Sequence, residues 1–234
     1  MKKAIILPKL RVFLSFCNLG AILTKFLMPC VLLCGGTGTR MGRLKQELLL
    51  DIKAQETLAD FQVKRLQQWF VNLYFSAKVA IPNAFKMETI LDLNTKELPL
   101  RNARDLQDFS KEQFAPIFGL QSILEFLQCD VFVMSIDTPF LDYDSIRLIL
   151  RTFGENHKPT FAKNIKIHPL LGVYTLESLS LIKEQITKKE YKLMRLLEKI
   201  NAQFVEIGED KTQNLNTPQE YQEALKQIQL QIKA

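Results

Sequence analysis

The run Leu33-Cys34-Gly35-Gly36-Thr37-Gly38-Thr39-Arg40-Met41-Gly42, with Lys45 three residues on, brings four glycines, a guanidinium and an ammonium into one short stretch. Glycines let a backbone turn left-handed and approach a ligand closely. Successive inward-facing amides form a cradle for anions. Arg40 can place two parallel bonds on phosphate oxygens, and Lys45 adds a mobile point charge. The chemistry these residues suit is the grip of a polyphosphate; a plain glycine-rich turn is the other reading. Spacing narrows the choice. A dinucleotide fingerprint needs glycine where Met41 stands, and a Walker A loop needs a glycine five residues after Gly35 or Gly36, which is absent.

A second candidate is Asp137, which ends the apolar run 131–136 and precedes Thr138-Pro139-Phe140. A carboxylate at the end of a buried strand can hold Mg²⁺, a hard cation that bridges substrate phosphates. Aspartate before Thr-Pro is also ordinary turn or cap chemistry. Further along stand His168-Pro169-Leu170 and Asn214-Leu215-Asn216-Thr217-Pro218. Asparagine offers both donors and acceptors, while Thr217 and Pro218 equally suit the start of a helix.

The pattern L-x-G-G-x-x-x-R-M-G-x-x-K, together with D-x-P-F at Asp137, Ala115-Pro116-Ile117-Phe118-Gly119, His168-Pro169 and N-x-N-T-P, resembles the molybdenum cofactor guanylyltransferase family, the segments falling in that family's order. Two positions depart from it: Leu44 stands where the residue before the lysine is usually Asp, and Ala115 where the first glycine of G-P-L-x-G is usual. The resemblance implies a nucleotidyltransferase that moves GMP from GTP to molybdopterin and releases pyrophosphate, with Mg²⁺ as cofactor. It implies catalytic roles for Lys45, Arg40 and Asp137, with Asp137 also the metal ligand. Nucleotide would be bound by Leu33, Cys34, Gly35, Gly36, Lys45, Asp137 and an upstream acid, Asp108 or its near equivalent Asp105. His168, Asn214 and Asn216 would hold the pterin. Molybdopterin-handling proteins and recipient molybdoenzymes would be partners. Two other functions stay open: a cytidylyltransferase acting on molybdopterin or another phosphorylated acceptor, and a non-catalytic nucleotide- or cofactor-binding partner.

These residues need elements to carry them. Strand and helix patterns alternate from Cys30 onward, pointing to a single three-layer α/β/α Rossmann-like domain with a predominantly parallel sheet. Cys30–Cys34 reads as a buried strand, 57–70 as a helix and 71–77 as the next strand. Pro116 opens a helix, 131–136 is a strand, and a helix from about Asp144 should close on Gly154 as its left-handed cap. Strands near 160–163, 170–174 and 203–207 follow, with helices over 177–187 and 189–199 and a last one from Pro218. Residues 80–112 show no usable period.

The net charge is +6, but residues 1–28 hold five basic residues and no acid, leaving +1 on the rest. The folded body therefore lacks the basic excess of a nucleic-acid binder. The leader 1–27 reads as an extension outside the domain 28–234, with Met28 a natural start. No stretch of 18 or more apolar residues suggests a membrane span. The four cysteines form no C-x-x-C pair, so zinc is not expected and a reducing cytoplasm is.

Overall fold

In the computed structural model, residues 25–34, 44–51, 56–81, 85–92 and 115–233 are described. Two sheets are present among them. The larger has seven strands: β1 (Cys30–Leu33), β4 (Leu73–Ala77), β5 (Thr89–Leu91), β6 (Val131–Ser135), β7 (Thr160–Lys163), β8 (Ile167–Tyr174) and β9 (Gln203–Glu206), in the spatial order β5-β4-β1-β6-β8-β7-β9. The smaller pairs β2 (Leu49–Asp51) with β3 (Glu56–Thr57) antiparallel.

Every neighbouring pair in the large sheet is parallel except the two involving β8, which runs antiparallel to β6 and β7. The alternation of side chains along a strand explains the layers. In β1, Cys30 and Leu32 enter one core and Val31 and Leu33 the other; in β6, Phe132 and Met134 oppose Val131 and Val133 in the same way. The first core is covered by α1 (Leu58–Trp69), α3 (Tyr143–Asn156) and α7 (Pro218–Lys233). The second is covered by α2 (Pro116–Leu127), α4 (Ser178–Thr187) and α5 (Leu193–Lys199). The three layers and the mostly parallel sheet are those expected from the sequence. A short helix, α6 (Glu209–Thr212), leads toward α7.

Local chemistry sets the helix ends. Thr57 caps α1 through Asp60, each side chain bonding the other's backbone amide in a capping box. Pro116 occupies the first turn of α2, where its missing amide hydrogen costs nothing. Two expected boundaries are corrected. Helix α3 runs through Gly154 to Asn156 and closes on His157, whose φ of 55° supplies the left-handed cap; its amide bonds the Phe153 carbonyl at 2.7 Å. The helix expected over 189–199 begins only at Leu193, because Lys189 turns left-handed at φ 54° after α4. Within the stretch that showed no period, β5 extends the sheet edge.

Phe26, inside the segment read as an extension, forms a parallel bridge with Phe70 and exchanges hydrogen bonds with Trp69 and Val71. Its ring stacks on Tyr143 at 5.3 Å. Residues 1–24, including Cys17, lie outside the described residues.

Candidate active site

The parallel strands present their carboxyl ends along one edge. Leu33 lies level with Ser76 of β4 and Ser135 of β6. The reversal of β8, with Met134 opposite Leu171, brings the start of that strand and its His168 to the same edge. Ligands of open α/β sheets bind there.

Lys45 opens a 3-10 turn, Lys45–Glu47, held between buried Leu44 and Leu48. The amide of Leu58 bonds the Leu48 carbonyl at 2.7 Å, fixing the turn to the head of α1. Leu44 caps the turn without any side-chain hydrogen bond. Burial of its isobutyl group anchors the turn at the position where the guanylyltransferase family usually has Asp.

From this turn the Lys45 ammonium reaches Asp137, ion-pairing with Oδ2, and donates to Asn216 Oδ1 at 2.8 Å. The other carboxylate oxygen, Oδ1 of Asp137, accepts from Ser135 Oγ at 2.6 Å. The Asp137 carbonyl accepts from the Leu215 amide at 2.9 Å, and Thr138 Oγ1 bonds Asn214 Oδ1 at 3.2 Å. Three expected site residues, Lys45, Asp137 and Asn216, thus meet at one point, with Asn214 one bond away. Glu220 accepts from the amides of Asn216 and Thr217, and Thr217 caps α7. The asparagine pair and the helix cap are therefore neighbouring features of one loop.

Leu33 and Cys34 end β1 beside this centre. The Cys34 amide bonds the Ser76 carbonyl at 2.8 Å. Its thiol is pushed well above the ordinary range by burial first and by the Asp137 charge second, so it is an inert thiol. Gly35, Gly36 and Arg40, together with Asp105 and Asp108, lie outside the described residues.

A cavity of about 470 Å³ opens next to Asn216, lined among others by Asn164, Lys166, Thr212, Gln213 and Asn214. His168 is not among its lining residues. That histidine is buried, its Nε2 has no partner among the described residues, and burial followed by the Lys166 charge holds its pKa below the ordinary value.

Sequence reasoning missed a second group. Asp92, directly after β5, is buried and pairs with Lys78 Nζ at 3.3 Å; Ser76 Oγ reaches it at 3.4 Å. Burial raises its pKa, opposed by Lys78 and Ser76. The three residues share a recess with Leu33, Ala115 and Gly119. A side chain on Gly119 would bring Cβ to 3.3 Å from both Asp92 Oδ1 and Ser76 Oγ, so glycine is what lets α2 approach. Ala115 sits at φ −62°, a backbone that needs no glycine. The available signal was the short Thr89-Ile90-Leu91 run ending in an acid.

The donor set can be tested against magnesium. Among the described residues no group of three His, Cys, Asp or Glu side chains gathers. Asp137 thus offers one carboxylate to a cation whose remaining ligands would be phosphate oxygens and water, which suits Mg²⁺.

Residues 30–204 match the model of the MobA-like NTP transferase domain. A molybdenum cofactor guanylyltransferase of Campylobacter jejuni subsp. doylei is 33% identical over 83% of this chain and 94% of its own. The crystal structure of molybdopterin-guanine dinucleotide biosynthesis protein A from Archaeoglobus fulgidus superposes with a TM-score of 0.67 at 18% identity, covering 86% of this chain and 99% of that one. The 2-C-methyl-D-erythritol 4-phosphate cytidylyltransferase of Thermus thermophilus gives 0.58 at 10% identity, covering 85% and 98%, and so shares the fold. The chain is a nucleotidyltransferase and belongs to the MobA-like NTP transferase family.

Proposed function

We propose that this enzyme transfers GMP from GTP to molybdopterin, forming the guanine dinucleotide cofactor and pyrophosphate, with Mg²⁺. The observation that carries the proposal is the meeting of Lys45, Asp137 and Asn216 at the carboxyl edge of the sheet. The molybdenum cofactor guanylyltransferase activity for which the Campylobacter relative is named supports the choice of substrates.

In this reading the terminal phosphate of molybdopterin attacks the α-phosphorus of GTP. The new P–O bond forms as the bond to the β-phosphate breaks, and pyrophosphate leaves with the electron pair. Mg²⁺ bound at Asp137 supplies charge neutralisation on the phosphate oxygens. Ser135 holds the Asp137 carboxylate in orientation. Lys45 contributes its ammonium to the triphosphate beside it, and Arg40 and the loop amides act on the same charge. No proton relay through His168 is needed, since phosphoryl chemistry is mainly positioning and charge stabilisation.

Main-chain groups of Leu33–Gly36 would recognise the base, as the resemblance to the guanylyltransferase family implies. The cavity beside Asn214 and Asn216 offers amide donors and acceptors to a pterin. We place the enzyme in the cytoplasm: the described cysteines Cys30, Cys34 and Cys129 are free thiols, and no described helix is long and apolar enough to cross a membrane.

The test is pyrophosphate release from Mg-GTP with molybdopterin as acceptor, alongside CTP, UTP and ATP. GTP should be strongly preferred; preference for CTP, or no release with any nucleotide, overturns the assignment. Lys45→Ala should lower turnover by a factor on the order of 10² or more, as for loss of a transition-state charge donor, with an unchanged thermal midpoint. Near-normal turnover would refute the role given to Lys45.

A further inference from the structure

The chain segment that presents Asp137 is bound by side chains of α1 that take no part in the chemistry described above. Gln62 is fully buried. Its Nε2 donates to the carbonyls of Ile136 and Thr138, both at 3.2 Å, the two residues that flank Asp137. Its Oε1 accepts from Arg65 at 3.1 Å, which fixes the orientation of the amide. Arg65 in turn donates to the carbonyls of Pro139 and Leu141. Its guanidinium lies 5.3 Å from the ring centres of both Phe61 and Trp69. Burial pulls its pKa down to about 10, so it remains charged at neutral pH.

Four carbonyls in the stretch Ile136–Leu141 are thus held by two side chains one helical turn apart. The Asp137 carbonyl is held from the opposite end of the chain by Leu215. With these five acceptors directed at fixed partners, the backbone that carries the Asp137 carboxylate is held in place. Residues that orient a metal ligand commonly matter to affinity nearly as much as the ligand.

We propose that Gln62 and Arg65 are positioning residues that hold the Asp137 carboxylate in register for the metal-bound triphosphate. The proposal rests on the reading of Asp137 as the metal ligand. It predicts an effect on cation binding in the nucleotide complex and none on nucleotide held without metal, a split that a merely structural role would not produce.

The experiment uses the full chain with Mn²⁺ as probe, followed by water-proton relaxation in the presence of GTP, and GTP binding in EDTA by equilibrium dialysis. Variants are Gln62→Met, Arg65→Met and Arg65→Lys, with Lys64→Met as control. Lys64 lies on the same helix but makes an exposed pair with Glu56. Gln62→Met should weaken Mn²⁺ in the ternary complex about tenfold, the lower end for loss of a ligand-orienting group, and leave GTP binding in EDTA unchanged. Arg65→Lys should fall between wild type and Arg65→Met, since an ammonium can serve one carbonyl but not the fork of two. Lys64→Met should match wild type. A folded Gln62→Met with wild-type Mn²⁺ affinity, or with GTP binding in EDTA weakened equally, overturns the proposal. Should Gln62→Met not fold, the Arg65 series decides: Mn²⁺ affinity equal in Arg65→Lys and wild type overturns it. Absence of any relaxation enhancement in the wild type overturns instead the metal reading on which it rests.

Discussion

Lys45 and Asp137 stand 92 residues apart in sequence and in contact in the fold. Their convergence was legible because charge at fixed spacing from glycine and from a strand end has few uses. Asn216 was legible from its motif, but its bond to Lys45 was not, since nothing in N-x-N-T-P says which cation it faces. His168 illustrates the reverse case. The H-P motif marks it, yet its buried ring is not among the residues lining the cavity beside the asparagines. Burial and Lys166 hold its folded pKa below that of the unfolded chain. As pH falls through about 6.5, the unfolded state therefore takes up the proton first, and stability drops with it. The urea midpoint of His168→Gln should fall less between pH 7 and 5.5 than that of the wild type. Equal slopes would mean that His168 is not the group responsible.

At the scale of elements, the strands of the core were readable because burial on both faces leaves uninterrupted apolar runs such as Cys30–Leu33 and Val131–Met134. β5 was not: three residues with one exposed leucine at the sheet edge give no period to detect. Helix ends failed where a residue other than glycine turned left-handed, as His157 and Lys189 do. The antiparallel strand β8 could not be told from a parallel one by composition. Its fit against β7 depends on Gly172, where a Cβ would lie 2.2 Å from the Thr160 carbonyl oxygen and 2.7 Å from the Phe161 Cα. Both obstacles are backbone, so Gly172→Ala must push the strands apart. A loss of about 1–3 kcal/mol is expected from such overpacking, measurable by urea denaturation. An unchanged midpoint would show that the two strands can separate there without loss.

For the whole molecule, the charge reading and the layer architecture came from the sequence, whereas the closure of the site by the C-terminal segment did not. Tyr221 of α7 bonds the Leu49 carbonyl beside the Lys45 turn, and Ala224 and Ile228 fill the core under α1 and α3. A chain ending after Gln213 would keep every strand and the whole phosphate loop. It would lose Asn214, Asn216 and that packing, so its thermal midpoint and its GTP-dependent pyrophosphate release should both fall sharply. Retention of turnover would show that the C-terminal segment is dispensable for catalysis.

The bonds from Leu215 to Asp137 and from Lys45 to Asn216 also bear on synthesis. On the ribosome Lys45 and Asp137 emerge well before Leu215 and Asn216, which bind them in the folded chain. Until those later residues have been made, Lys45 and Asp137 lack two of the bonds that fix them in the folded chain.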